Sequence, residues 1–141
     1  MMNNPETYAV YPIGIVRSKL RRREDAPRQG SEGAPDAWLE IFPRFRDALE
    51  GITLNSEVLV LTWFHLARRD ALKIHPRRDT SKPLTGVFAT RSPDRPNPIG
   101  LHRVTVLEID KPRGIRVQPL EALDGTPIID LKPVLSEEGD A

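Results

Sequence analysis

Three prolines within six residues, Pro93, Pro96 and Pro98, constrain this chain more than any other feature. Each fixes φ and removes a backbone donor, so the stretch can be neither helix interior nor central strand. Each also pushes the residue before it into extended geometry. Upstream, Val87 to Thr90 reads as a strand; downstream, Gly100 releases the chain into an apolar run from Val104 to Ile109. A stiff loop between two strands follows, carrying Arg91, Ser92, Asp94, Arg95 and Asn97. A loop held by proline loses less entropy when it binds. A proline-braced hairpin connection is the plain alternative. Two arginines, an Asp and an Asn on so rigid a loop point instead to binding.

The rest of the chain reads mainly as strand. Its 14 prolines in 141 residues disfavour a helical bundle. Tyr8 to Ser18 is rich in β-branched residues, with Pro12 and Gly14 marking an edge or a bulge. Leu20 to Ala37 is loop, long enough to suggest a functional segment. Trp38 to Phe42 has the look of a short strand. Pro43 to Leu49 reads as a helix, with proline in its first turn and Gly51 as cap. Glu57 to Leu66 is the most apolar run and a buried strand ending near His65. Ala67 to His75 suits a helical turn or an irregular loop, and Pro76 to Pro83 a polar one. Val104 to Asp110 and Ile115 to Leu120 form a hairpin, Asp124-Gly125 a tight turn, and Ile128 to Leu131 a last strand. Strands do not alternate with long helices, and no G-x-G-x-x-G follows a first strand, which argues against a doubly wound nucleotide-binding sheet. The expected fold is mainly β: a small, mostly antiparallel β-barrel with one or two short helices. It forms a single domain over residues 1–141, with 136–141 as a frayed tail.

Composition excludes several kinds of chemistry. There is no cysteine, hence no disulfide framework and no thiolate nucleophile, and a cytoplasmic address is the default. His65, His75 and His102 have no compact ligand spacing, so no metal site is expected. No nucleophile elbow surrounds Ser92. No apolar run approaches the ~20 residues of a membrane span, and the amino terminus has no signal-peptide pattern. Net charge is only +1, but it is uneven: residues 1–103 carry 17 Lys/Arg against 12 Asp/Glu, and residues 104–141 carry 4 against 8. The cations cluster from Arg17 to Arg28 and from Arg68 to Arg78, a local excess that suits a phosphate backbone.

Thr90-Arg-Ser-Pro-Asp-Arg-Pro-Asn-Pro-Ile-Gly-Leu101 resembles the signature of the TsaA-like (TrmO, YaeB) family. Three further stretches agree in order and spacing: Ile13-Gly-Ile-Val-Arg-Ser18 with Ala26-Pro-Arg-Gln29; Thr62-Trp-Phe-His65; and Leu123-Asp-Gly-Thr-Pro-Ile-Ile-Asp-Leu-Lys-Pro133. The likeness spans nearly the whole chain. It implies a β-barrel that uses S-adenosylmethionine to methylate threonylcarbamoyladenosine beside the tRNA anticodon, with tRNA as partner and a homodimer as assembly. It also implies cofactor contacts at Arg28, Gln29 and Gly30, at His65 and Leu66, at Arg91, Ser92 and Leu101, and at Asp124, Gly125, Thr126 and Pro127. Bacterial members often carry an extra carboxy-terminal domain that is not seen here, which leaves room for a different methyl acceptor or for a non-catalytic nucleotide- or RNA-binding barrel.

Methyl transfer from a sulfonium needs positioning and exclusion of water more than acid catalysis. On the substrate side, the free threonyl carboxylate asks for a cation and the N6 proton for a base. Arg95, with Asn97, is the candidate for orienting substrate. A salt bridge from Arg95 to Asp94 or Asp79 that merely braces the loop is the structural alternative. Asp130 and Lys132 could supply a base or pair with each other.

Overall fold

The computed structural model describes residues 6–27 and 33–136. Six strands close into a barrel: β1 (Gly14–Arg17), β2 (Ala37–Ile41), β3 (Glu57–Trp63), β6 (Ile99–Asp110), β7 (Gly114–Gln118) and β8 (Pro127–Pro133). Their order around it is β1-β2-β7-β6-β3-β8, and every neighbouring pair is antiparallel. Closure leaves no unpaired edge in a chain of short strands. Two further strands, β4 (Lys73–Ile74) and β5 (Thr85–Gly86), pair with each other as a separate ribbon. The expected antiparallel barrel is the observed one.

Inward and outward residues alternate as a barrel wall requires. Val58, Val60 and Thr62 of β3 face inward beside Gly100, His102, Val104 and Val106 of β6. Leu39 and Ile41 of β2, Ile115 and Val117 of β7 and Ile128 of β8 complete an interior of branched aliphatics. Each such side chain stabilises by roughly 1.5–3 kcal/mol relative to leaving it in water. Gly114, at φ 146°, turns β6 into β7 where a Cβ would fall on the Leu39 carbonyl, so glycine is needed there for space as well as conformation. Among the described residues, no helix is long and apolar enough to cross a membrane.

Several boundaries differ from the sequence reading. The first strand is only Gly14–Arg17; Tyr8 to Tyr11 is exposed and unpaired in the sheets, because Pro12 cannot donate to a ladder. Val87 to Thr90 is not a strand. Val87–Ala89 forms a 3₁₀ turn, and the short strand before it pairs with Lys73–Ile74. The following strand begins at Ile99, immediately after the last proline, rather than at Val104. Pro43–Leu49 is helical as expected, but of the tighter 3₁₀ type. The hairpin returns over Gly114–Gln118.

Candidate functional site

The strand registers gather the candidate stretches at one end of the barrel. Thr62, near the end of β3, pairs with Gly100 at the start of β6 on one side and with Ile128 at the start of β8 on the other. Ile128 in turn pairs with Gly14, and Pro127 with Ile15, so β1 runs out toward the same end. Residues 62–66, 97–101, 124–127 and 17–21 are therefore neighbours, although Ser18 and Asp124 are 106 residues apart in the chain. Arg28, Gln29 and Gly30 lie outside the described residues.

The proline loop is held by its own arginines. Arg95 donates from Nη1 to the carbonyls of Thr90 and Ser92, at 3.0 Å each. Its bracing partners are thus backbone carbonyls rather than Asp94 or Asp79. Asp94 accepts from the Arg68 amide at 2.9 Å and lies 3.6 Å from the Arg23 guanidinium. Asp79 instead binds the amide and hydroxyl of Ser81, and those bonds hold its carboxyl below the usual range. Arg91 donates to the Leu101 carbonyl at 2.7 Å, tying the loop's start to β6. Arg69 binds the Pro96 carbonyl at 2.7 Å and Asn97 Oδ1 at 3.0 Å while lying over the Trp63 ring. Ser92 Oγ accepts from the Asp94 amide, and Phe64 N–H donates to the buried Pro98 carbonyl at 2.8 Å. Every polar residue of the loop thus shapes it, which a rigid binding surface requires.

The Asp124 turn is zipped to the end of β1. Asp124 Oδ1 accepts from the Ser18 amide at 3.0 Å, and its other oxygen lies 3.5 Å from Arg21. The amides of Asp124 and Gly125 donate to the carbonyls of Leu20 and Val16. Gly125 has φ 86°, which a side chain would disfavour. Thr126 is buried with its hydroxyl on the Leu123 carbonyl. Residues 18–25 thus run from the Asp124 turn, through Arg21, to the proline loop, through Arg23. They lead directly into the Arg28–Gly30 stretch.

His65, Leu66, Arg91 and Leu101 are exposed around this end, with Leu66 at 68% and Leu101 at 42%. A groove of about 540 Å³ adjoins it. The groove runs along the outside of β1 and β2, between Arg17, Trp38, Arg113 and Asp124. Among the described candidate residues, Asp124 alone is on its wall; the proline loop lies outside it. Within the groove, burial pushes the Glu40 carboxyl up, but hydrogen bonds from Arg17 and Arg113 more than offset this and hold it below the ordinary range. Asp130 and Lys132 pair with each other at 3.7 Å.

A polar trio escaped sequence reasoning. His102, 3% exposed, has Nε2 2.7 Å from Thr62 Oγ1 and Nδ1 2.6 Å from Glu121 Oε1. The signal was present in the alternation, since Thr62 and His102 occupy inward positions of otherwise aliphatic strands. Arg23 and Arg69 were also missed as loop braces, because nothing local marks which cation meets a distant carbonyl.

The model of the tRNA-methyltransferase O N-terminal domain matches residues 15–140. This chain belongs to that family. It is 46% identical over 124 residues to a probable S-adenosyl-L-methionine-binding protein of Methanothermobacter thermautotrophicus, covering 88% of each chain. An S-adenosyl-L-methionine-binding protein of Archaeoglobus fulgidus is 44% identical over 121 residues, covering 86% of this chain and 85% of that one. Among solved structures, TrmO from Pseudomonas aeruginosa superposes with a TM-score of 0.72 at 35% identity, over 92% of this chain. The chain spans 57% of that TrmO chain. Family membership accounts for the shared order of the four motifs, and the barrel explains why they lie together.

Proposed function

We propose that this protein is an S-adenosylmethionine-dependent methyltransferase that acts on N6 of threonylcarbamoyladenosine beside the tRNA anticodon. The observation that carries this reading is the convergence of residues 62–66, 91–101 and 124–127 on one barrel end, in a chain of this family. The donor set fits the cofactor's chemistry. Exposed Leu66 and Leu101 offer apolar surface for a purine. Asp124, fixed by the Ser18 amide, offers a carboxylate to a ribose diol. Arg91, Ser92, Thr126 and Pro127 are assigned to the same site, as are Arg28, Gln29, Gly30 and His65. When bound, the cofactor supplies an activated methyl group, so the chain's task is placement.

The loop residues divide that task. Arg91 holds the start of the loop against Leu101 on the cofactor side. Arg95 and Asn97 serve the substrate side, where Nη1 of Arg95 keeps the loop in shape and its other guanidinium donors meet the threonyl carboxylate. Cations from Arg68 to Arg78 meet the RNA backbone. A homodimer covers exposed apolar residues such as Phe88 and Ile99, and the cytoplasm, where tRNA is modified, is the site of action.

Calorimetric titration of S-adenosylmethionine, with and without tRNA, into wild type and Arg91→Ala tests the reading. Micromolar binding lost in the variant, followed by methylation of threonylcarbamoylated tRNA, is expected. No binding by wild type under either condition would refute it. A second reading keeps the cofactor and changes the acceptor. It is favoured by the similar-length relatives, whose names state cofactor binding alone. Binding without tRNA methylation would select it.

A further inference from the structure

The Thr62–His102–Glu121 trio stands where an aliphatic cluster would suffice. Thr62 is fully buried, His102 nearly so, and the Glu121 side chain is 16% exposed. Buried polar networks of this kind contribute little net stability over a packed apolar core. Their presence inside an otherwise consistent fold points to a functional demand.

The hydrogen bonding fixes the orientation of the ring. Glu121 accepts, so Nδ1 of His102 carries hydrogen. Thr62 Oγ1 is the hydrogen-bond partner of Nε2, at 2.7 Å. Every buried side-chain polar atom among the described residues is then satisfied. With Nε2 on Thr62 and Nδ1 on Glu121, only one ring orientation meets both partners.

Each member of the trio also lies in or beside a different candidate stretch. Thr62 is the penultimate residue of β3, two residues before Phe64, with His65 and Leu66 following. His102 follows Gly100 and Leu101 in β6. Glu121 lies three residues before Asp124. The Phe64 ring meets His102 edge-on at 5.9 Å. A Cβ on Gly100 would fall on Thr62 Oγ1 and on the Phe64 ring, so glycine there lets the ring settle against the trio.

We infer that the trio is a positioning device. It sets the spacing of the 62–66, 99–101 and 121–127 segments, and through them the affinity for S-adenosylmethionine. None of the three touches the cofactor in this assignment. They act through His65, Leu66, Leu101 and Asp124. The inference rests on the cofactor reading above.

The test is calorimetry with S-adenosylmethionine on the full chain, in the presence of tRNA if the wild type requires it, beside thermal unfolding of each variant. Thr62→Val and Glu121→Gln should weaken binding by about tenfold or more, which is about 1.4 kcal/mol. Thr62→Ser, which keeps the hydroxyl, should restore Kd to within about twofold, roughly 0.4 kcal/mol. Val106→Ala, a core change elsewhere on β6, should lower the unfolding midpoint and leave Kd unchanged. Variants that lose thermal stability yet bind as the wild type does would overturn the inference and leave the cofactor reading intact. A wild type that does not bind under either condition overturns both. Should the variants fail to fold, the ¹⁵N-coupled Nδ1–H resonance of His102 in the wild type decides. It should shift on cofactor addition, and an unmoved resonance would refute the positioning role.

Discussion

Replacing Gly100 by alanine tests the packing at the site end directly. The added methyl would meet Phe64 ring carbons at 2.6 Å and fall on Thr62 Oγ1, and Thr62 and Phe64 are both held. Phe64 is anchored by its amide on Pro98, and Thr62 by His102. Ordinary contact lies near 3.5–4.0 Å, so the ring must retreat by about 1 Å. Overpacking of this kind costs typically 1–3 kcal/mol. At this chain length each kcal/mol moves the unfolding midpoint by roughly 2–4 °C, so Gly100→Ala should melt about 2–12 °C below wild type. The mechanism is steric, which makes it separable. In a Phe64→Ala background the same substitution should cost less, with a coupling of at least about 0.5 kcal/mol in the double-mutant cycle. Gly125→Ala is the contrasting case. A Cβ there meets nothing within 4 Å, and its cost comes from φ 86° alone, so it should not depend on Phe64. Scanning calorimetry on the four cycle members and Gly125→Ala gives the answer. A Gly100→Ala protein that melts with the wild type, or a cost unchanged without the Phe64 ring, would refute the reasoning.

Removing Arg95 unties the carbonyls of Thr90 and Ser92. Arg95→Ala should therefore speed amide exchange across the 91–97 loop while leaving the barrel strands protected; unchanged exchange would contradict the brace. The Glu40 carboxyl is held below its ordinary range by Arg17 and Arg113 despite the opposing effect of burial. Its contribution to stability is then present above its unfolded value, about 4.3, and is lost as pH falls through the lower folded value. Glu57, lowered chiefly by its hydrogen bond from Arg103, acts with the same sign. The unfolding midpoint should fall below about pH 4.3, and less steeply in Glu40→Gln. The Arg103–Glu57 pair is bidentate but exposed, so Arg103→Ala at neutral pH and moderate salt should leave the urea unfolding midpoint close to that of the wild type.

Proline, glycine and alternation made much of this fold legible. The three prolines located the loop because they act on the backbone locally, whatever surrounds them. The alternating β-branched residues located β3 and the β6–β7 hairpin, since strand periodicity is a property of a few consecutive residues. What failed was also local in form but not in cause. Val87 to Thr90 has strand composition, yet Val87 is bonded to the Leu72 carbonyl and Thr90 folds its hydroxyl back on Val87. The Leu72 partner is not visible in the four residues themselves. Ile99 to Arg103 was left out of its strand because the proline run masked where pairing resumes.

The site divides in the same way. Among the described residues, those that motif likeness selected lie together at one end of the barrel, but it could not supply the contacts between them. Arg23 meeting Asp94 and Arg69 meeting Asn97 are consequences of closure, which brings opposite parts of the chain within 4 Å. The buried trio marks the boundary between these two kinds of information. Thr62 and His102 are polar residues at inward phases, an inconsistency that a pattern can flag. Only the register, which sets Thr62 against Gly100 and brings Glu121 under His102, turns that inconsistency into a connected device. Polar residues at the wrong phase of an otherwise aliphatic strand are therefore worth pairing across the sheet before they are dismissed as core irregularities.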